Sequence, residues 1–413
     1  MPSLGNWRKK LVTKSDDKKV PALRFKGFTD DWEQRKLVKV LTVSKERNKN
    51  LTYTKDKILS VSREAGVVNQ IEYQGRSFAG KDISKYKVVH PGQVIYTKSP
   101  LKNAPYGIFQ ISEVNGLVSP LYAIYSSTSE VKASFVGLIL KNDNIATKYL
   151  APLVSKGAKN TINITDEGAL EGKITYPSKS EQLKIINLLK KVSHIIELQQ
   201  RKLEYFMTIK AELLRSIFPN TIGKRGLHIS DQPWKLQTMN DIFKEKNIKN
   251  EHGKLLSVSI SKGIYPFSEN ERKNNSSNNK SNYKEVKYND IAYNSMRMWQ
   301  GALGVSKYDG IVSPAYTVIT AKKQENPLFY YYYFKNKRML FNFRQHSQGL
   351  TSDTWNLKFP LFKKIIIQTP ISKKEEQIIA NLFKTLDQNI IYTKTKIEKF
   401  NYIKQFLLQN MFI

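Results

Sequence analysis

One carboxylate two residues from a lysine on an extended segment is the smallest piece of a metal-dependent nuclease site. Glu285-Val286-Lys287 supplies that piece and no more. Alone, the triplet is too short a signal to earn a hydrolytic assignment. The five histidines, His90, His194, His228, His252 and His346, are scattered without metal-ligand spacing. Neither G-x-G-x-x-G nor a Walker loop is present to cradle phosphate. The chain has no cysteine, which excludes thiol nucleophiles, disulfides and Cys-ligated zinc, and fits a reducing cytoplasm. The expectation is a chain that carries out no covalent chemistry itself and holds no metal.

Asn326-Pro327-Leu328-Phe329 resembles the N-P-P-F/Y tetrad with which amino-methyltransferases grip the exocyclic amine of a flipped base. The second proline is missing, no glycine-rich cofactor motif accompanies it, and the first half has no counterpart. Asn326 and Pro327 are better read as the start of the helix PLFYYYYFKNKRM. Composition favours binding over catalysis. Lys and Arg number 68 against 35 acids, a formal charge of +33, which predicts a polyanionic partner, nucleic acid first. No stretch approaches the apolar length of a membrane span, and the N-terminus lacks a signal-peptide run. The expected location is the cytoplasm, with no membrane partner.

Whatever does the binding is carried on a scaffold the chain makes twice. KILSVSREAGV (57–67) returns as KLLSVSISKGI (254–264), and YKVVHPGQVIY (86–96) as YKEVKYNDIAY (283–293), both 197 residues on. GLVSPLY (116–122) returns as GIVSPAY (310–316), 194 residues on. These islands read as strands, with a turn at Pro91-Gly92 and one strand from Gly116 to Tyr125. Ser134 to Gly157 carries helical periodicity and stops at a glycine. The fold is expected to begin near Val20, with Trp32 and Leu37 as its first buried anchors. Between the islands the halves share little, so one scaffold carries two loop sets, where recognition normally lives. Thr221 to Pro233 reads as a linker, and Asn270 to Asn282 as a low-complexity surface loop.

Each half closes on a long helix. Heptads place Leu189, Ile196, Leu203, Lys210 and Ile217 at a, and Val192, Gln199, Phe206 and Leu213 at d. A shift of 194 gives Phe383, Ile390, Ile397, Lys404 and Met411 at a, with Leu386, Thr393, Phe400 and Leu407 at d. A 3.5-residue apolar period held over four heptads is a coiled-coil seam, here roughly 57 Å long at ~1.5 Å per residue. In a parallel pair Lys210 would face Lys404, and like charges there repel, so the helices are expected to run antiparallel. Ser180 is the expected N-cap of the first. The fold class is α+β: two pseudo-symmetric mixed α/β domains separated by two long antiparallel helices forming a coiled coil.

Two unlike halves, the LRF…W opening at Leu23 to Trp32, and the Glu181-Gln182 and Glu376-Gln377 pairs that begin the helices together resemble the specificity subunit of type I restriction–modification enzymes. The likeness covers Val20 to Ile413. It implies a basic flexible tail (1–19), a first target recognition domain (20–180), a spacer helix (181–218), a linker with the second recognition domain (219–372), and a second spacer helix (373–413). It implies a non-catalytic reader of double-stranded DNA, each domain taking one half of an asymmetric bipartite target. The helix pair would dock two methyltransferase (modification) subunits, which methylate adenine N6. Restriction (translocase/nuclease) subunits join the same assembly. This chain would bind no cofactor; S-adenosylmethionine, ATP and Mg2+ belong to the partners.

On that reading, base readers sit in loops that differ between the halves. The first half offers Lys98, Ser99, Lys102 and Asn103, with Arg63 and Arg76 flanking two other turns. The second offers Asn294, Ser295, Arg297, Trp299 and Gln300, with Arg344, His346 and Gln348 before the Gly349 turn. Arg and Lys can grip guanine bidentately, Asn and Gln adenine, while most other lysines neutralise phosphate. The alternative is a stand-alone DNA-modifying or DNA-cleaving enzyme, which needs a site this sequence lacks. A coiled-coil protein on membrane or RNA leaves the duplicated halves unexplained.

Overall fold

The computed structural model describes residues 20–156, 162–218, 233–269 and 279–413. The expected tail, nearly all of the expected linker, His228 and residues 270–278 of the low-complexity loop lie outside the described residues. The chain divides into two compact units, Met1–Glu197 with Glu398–Ile413, and Leu198–Ile397.

In the first unit the strands are β1 (Glu33–Lys36), β2 (Leu41–Val43), β3 (Leu59–Ser62), β4 (Gly66–Asn69), β5 (Lys87–Val89), β6 (Val94–Tyr96), β7 (Phe109–Ile111), β8 (Gly116–Val118), β9 (Ala123–Ser127), β10 (Ser155–Lys156), β11 (Ile162–Asn163) and β12 (Lys173–Tyr176). Helices α1 (Gln70–Gln74), α2 (Ala133–Leu140) and α3 (Asp143–Leu150) interrupt them, and α4 (Lys179–Ile217) follows. An antiparallel sheet of order β2-β9-β6-β7 is flanked by the pairs β3-β4, β5-β8, β10-β11 and β1-β12. Trp32 and Leu37 are both buried in its core.

The second unit repeats this plan with β13 (Trp234–Thr238), β14 (Phe243–Glu245), β15 (Leu256–Ser259), β16 (Gly263–Pro266), β17 (Lys284–Val286), β18 (Ile291–Asn294), β19 (Leu303–Val305), β20 (Gly310–Val312), β21 (Tyr316–Ala321) and β22 (Ile366–Pro370). Its helices are α5 (Met239–Ile242), α6 (Pro327–Phe334), α7 (Lys337–Gln345), α8 (Phe359–Phe362) and the long α9 (Lys373–Asn410). The sheet order β14-β21-β18-β19 is that of the first unit, strand for strand.

The repeated sequence islands have physical causes. A Cβ on Gly116 would lie 2.6 Å from the Lys57 carbonyl oxygen, and one on Gly310 closer still to that of Lys254, so only glycine lets these backbones meet. The lysine of each YK pair is spent inside: Lys87 donates to the Tyr122 carbonyl at 2.6 Å, and Lys284 to that of Tyr316 at 2.9 Å. Asn326 caps α6 by accepting from the N–H groups of Leu328 and Phe329, with Pro327 in the first turn.

Three local expectations are corrected. The segment 116–125 is not one strand, because Ser119-Pro120 turns it between β8 and β9. The helical stretch from Ser134 is two helices, since Asn142 caps a new one through the N–H groups of Asn144 and Ile145. Ser180 lies inside the first turn of α4, which starts at Lys179, so it is not the N-cap.

The seam forms as the heptads require. In the first unit Leu189, Val192 and Ile196 of α4 share a core with Leu407 and Met411 of α9, the start of one helix on the end of the other. In the second unit Ile217 of α4 shares a core with Phe383 and Leu386 of α9, with Phe206 and Leu213 packed against it. The helices therefore pair antiparallel. Leu203, Ile390, Ile397 and Phe400 are half-buried, and the polar position Thr393 is buried. Lys210 faces an acid, ion-pairing with Asp387 of α9.

The Glu-Gln pairs that open the two helices are not structurally equivalent. Glu181 is buried and takes both Arg24 nitrogens at 2.8 Å. Gln182 accepts the N–H of Lys132, just before α2, at 2.9 Å and donates to the carbonyls of Glu130 and Pro177. The 194-residue register of the helices puts Glu376, not Gln377, in Gln182's place. Glu376 is buried, while Gln377 is exposed and accepts from the Asn326 amide at 3.0 Å.

Burial raises the Glu376 carboxyl above its ordinary pKa, with Lys373 and the N–H of Asn326 pulling it back only in part. Such a group favours the fold below the ordinary carboxylate range, and that contribution is lost as pH rises through the raised value. Glu376→Gln, which copies the first half, is expected to stabilise the protein at pH 7 by on the order of 1 kcal/mol. Thermal melts should show the gain shrinking towards pH 4; a loss of stability at pH 7 would mean the Lys373 ion pair outweighs the burial cost.

Candidate nucleic-acid interface

In the first unit the loop after β6 folds back on itself. Leu101 and Ala104 exchange both backbone hydrogen bonds at 3.0 Å, which leaves Lys102 and Asn103 exposed at the tip of a two-residue turn. Lys98 has a different fate. Its backbone is left-handed (φ +52°), and its ammonium closes on Asp166 beside Lys87. Burial opposes the charge on Asp166, yet hydrogen bonds from Lys87 and Lys98 hold its carboxyl below the usual range. Ser99 is exposed and donates to the Thr97 carbonyl at 3.2 Å. Lys98 thus braces the loop and Lys102 and Asn103 present it.

Arg63, in the β3-β4 turn, ion-pairs with Asp143 at the start of α3. Arg76 is exposed, its guanidinium 4.8 Å from the ring centre of Phe78, itself 59% exposed. Tyr73 is also exposed on α1. Sequence reasoning passed over Tyr73 and Phe78; rings beside a basic residue on a polar segment are the signal that would have found them.

In the second unit one cluster gathers residues from two loops and the end of α7. Trp299 meets Trp355 edge-on at 5.1 Å, and the Arg344 guanidinium lies 4.7 Å over Trp355. Arg297 lies 3.6 Å from Asp353. Gln348 and Asn356 exchange backbone hydrogen bonds of 3.0 and 2.7 Å, closing a hairpin whose tip holds the fully exposed Leu350. Gly349 at φ +137° makes the bend. The β10-β11 pair stands in the same place in the first unit. Trp355 and Asp353 were not foreseen, although they follow the glycine turn that was.

The other expected readers divide. Ser295 is buried, its hydroxyl 2.8 Å from that of Thr317, so it supports the loop from inside and is withdrawn from any ligand. Asn294 accepts the Met296 N–H at 3.0 Å and shapes the same loop. Gln300 is half-buried, and His346 is exposed with Nδ1 2.8 Å from the Asn342 carbonyl. The Glu285-Val286-Lys287 triplet is structural: Lys246 lies 3.1 Å from Glu285 and 2.9 Å from Asp290, and holds the Glu285 carboxyl below its ordinary range. Among the described residues no three His, Asp or Glu side chains gather where a metal could sit, and no helix is long and apolar enough to cross a membrane.

Residues 232–402 match the family described as type I restriction modification DNA specificity domain. In fold the chain is similar to a type I restriction–modification system S subunit from M. genitalium, with a TM-score of 0.57, 14% identity, and coverage of 95% of this chain and 99% of that one. An HsdS subunit from Thermoanaerobacter tengcongensis aligns with a TM-score of 0.45 and 12% identity over 92% of this chain and 96% of its own. No curated protein matches it in sequence. The second half of the chain thus carries a type I restriction modification DNA specificity domain, and the first half repeats its sheet order strand for strand.

Proposed function

We propose that each half of this subunit reads one short part of a split, asymmetric DNA target. The observation that carries this is one sheet order built twice and dressed with two unlike loop sets: a Lys102-Asn103 tip beside an Arg76-Phe78 patch, against an Arg344-Trp355-Trp299 cluster. Two different readers on one chain call for two different half-sites, where a symmetric dimer would call for a palindrome. The +33 charge supplies the sequence-independent part of the affinity.

The adenine N6 methylation and any cleavage belong, in this proposal, to partner subunits: two methyltransferases carrying S-adenosylmethionine, and restriction subunits using ATP and Mg2+. The assembly works in the cytoplasm. Exposed apolar side chains on the long helices favour partner docking there. Tyr205, Met207 and Ile209 of α4 and Ile391 of α9 lie in the second unit, and Tyr402, Ile403 and Phe406 of α9 in the first. Mapping methylated adenines in DNA from cells that express this chain with its methyltransferase tests the proposal. A split, asymmetric motif is expected; a palindrome, or the same methylation without this chain, would overturn it.

Within that reading two substitutions should behave differently. Arg344→Ala removes a base-reading candidate, and should weaken binding about tenfold and relax discrimination at one position. Lys102→Ala, at the tip of the other reader, should instead relax discrimination at one position of the other half-site. Binding isotherms at several salt concentrations on matched and mismatched duplexes distinguish the two.

A further inference from the structure

The first unit has an open cavity of about 730 Å3, a volume suited to a small organic molecule. Leu138, Ile186, Leu189 and Phe412 give it apolar walls, and Lys141 and Lys404 line it as well. In the second unit the corresponding groups satisfy one another. Lys210 ion-pairs with Asp387, whose carboxylate also accepts the Tyr332 hydroxyl at 2.9 Å. Lys335 donates to the carbonyls of Ile260, at 3.0 Å, and Gly301.

The 194-residue repeat turns Lys210 into Lys404 and Lys335 into Lys141, but Asp387 into Ser193 and Tyr332 into Leu138. Both cations are kept; the carboxylate paired with Lys210 and the ring whose hydroxyl donates to it are not. Among the described residues neither the Lys141 ammonium nor that of Lys404 donates a hydrogen bond or joins an ion pair. Lys141 is exposed as a residue, yet desolvation of its ammonium, then repulsion from Lys404, holds its pKa below the ordinary value, with Glu113 opposing. Two acids share the lining, and each has a partner there: Glu113 pairs with Lys190 at 2.8 Å, and Glu197 lies beside His194 at 3.8 Å.

We propose that this cavity binds a small amphiphilic organic anion, its phosphate, sulfonate or carboxylate group between Lys141 and Lys404 and its apolar body on Leu138, Leu189 and Phe412. The anion stands where the second unit has Asp387, and its body where that unit has the Tyr332 ring. A bare inorganic ion would satisfy the lysines and leave the apolar walls empty.

The test uses the full chain and 8-anilinonaphthalene-1-sulfonate, a sulfonate on an apolar body, followed by fluorescence and calorimetry. Saturable one-to-one binding is expected. Ser193→Asp gives Lys404 the internal partner that Lys210 has, and should weaken binding at least about tenfold without lowering the melting temperature. Lys404→Met should weaken it as much, while Lys394→Met, on an exposed part of α9, should not. Absence of saturable binding, or equal binding by wild type, Ser193→Asp and Lys404→Met, would overturn the proposal. Because Ser193→Asp adds an ion pair, weaker binding by a variant that melts no lower cannot be ascribed to unfolding.

Discussion

Exchanging residues 233–370 for the matching segment of a relative is expected, on the proposed function, to change one half of the recognised sequence and leave the other half unaltered. The structure supports the cut. β13 and β22, the first and last strands of that segment, pair in antiparallel register with Trp234 opposite Pro370. Its two ends are therefore clasped together whatever lies between them. β1 and β12 do the same in the first unit, with Glu33 opposite Tyr176. A donor segment must keep the groups that meet the helices, such as Trp234, Phe329 and Tyr333 around Phe218. Each mismatched base pair costs about 1–3 kcal/mol, so a half-site of about three bases should shift preference by roughly a hundredfold or more. Methylated-adenine mapping of the hybrid reads the outcome, and a change in both halves would dismiss separate readers.

Phe383→Ala should produce the largest loss of stability from one seam position, about 3–5 kcal/mol. Phe383 is 0% exposed at an a position, stacked on Phe218 at 5.9 Å and on Tyr332 at 5.0 Å. Alanine there leaves a void that a network of large rings cannot close, because each ring is held by others. Phe383→Leu should recover much of the loss. The second unit has a core of its own, so its melting transition should move while that of the first stays in place. Urea unfolding followed separately through Trp234 and Trp32, each in a single-tryptophan background, would show this. A loss below about 1 kcal/mol would mean the seam there is loosely packed.

The seam was the most legible part of the fold. Every a and d position assigned from the heptads is buried or half-buried, because one apolar stripe on a long helix has few ways to leave water. The repulsion argument about Lys210 and Lys404 pointed to the antiparallel order, though the chain goes further and supplies Asp387. The strand islands were legible because Gly116 and Gly310 answer a steric demand that shows as identity. The partners of polar groups far apart in sequence were not legible. Nothing local announces that Lys98 will turn inward to Asp166, or that Arg344 will lie over Trp355. The Glu-Gln pairs misled for a related reason: the backbone N–H at the head of α2 or α6 is met by whichever side chain the helix register brings, Gln182 in one half and Glu376 in the other. Identical letters one residue out of step were a weaker guide than helical phase.

The N–H of Leu23 donates to the carbonyl of Asn410 at 2.8 Å, and Phe412 packs on Phe135 at 5.5 Å. The strand-forming part of the chain thus opens beside the place where α9 closes. Ligating those two points and cutting another loop would leave each sheet ladder and each helix contact as it stands. The core of the first unit, which takes in Leu407 and Met411, therefore cannot close until α9 has been made.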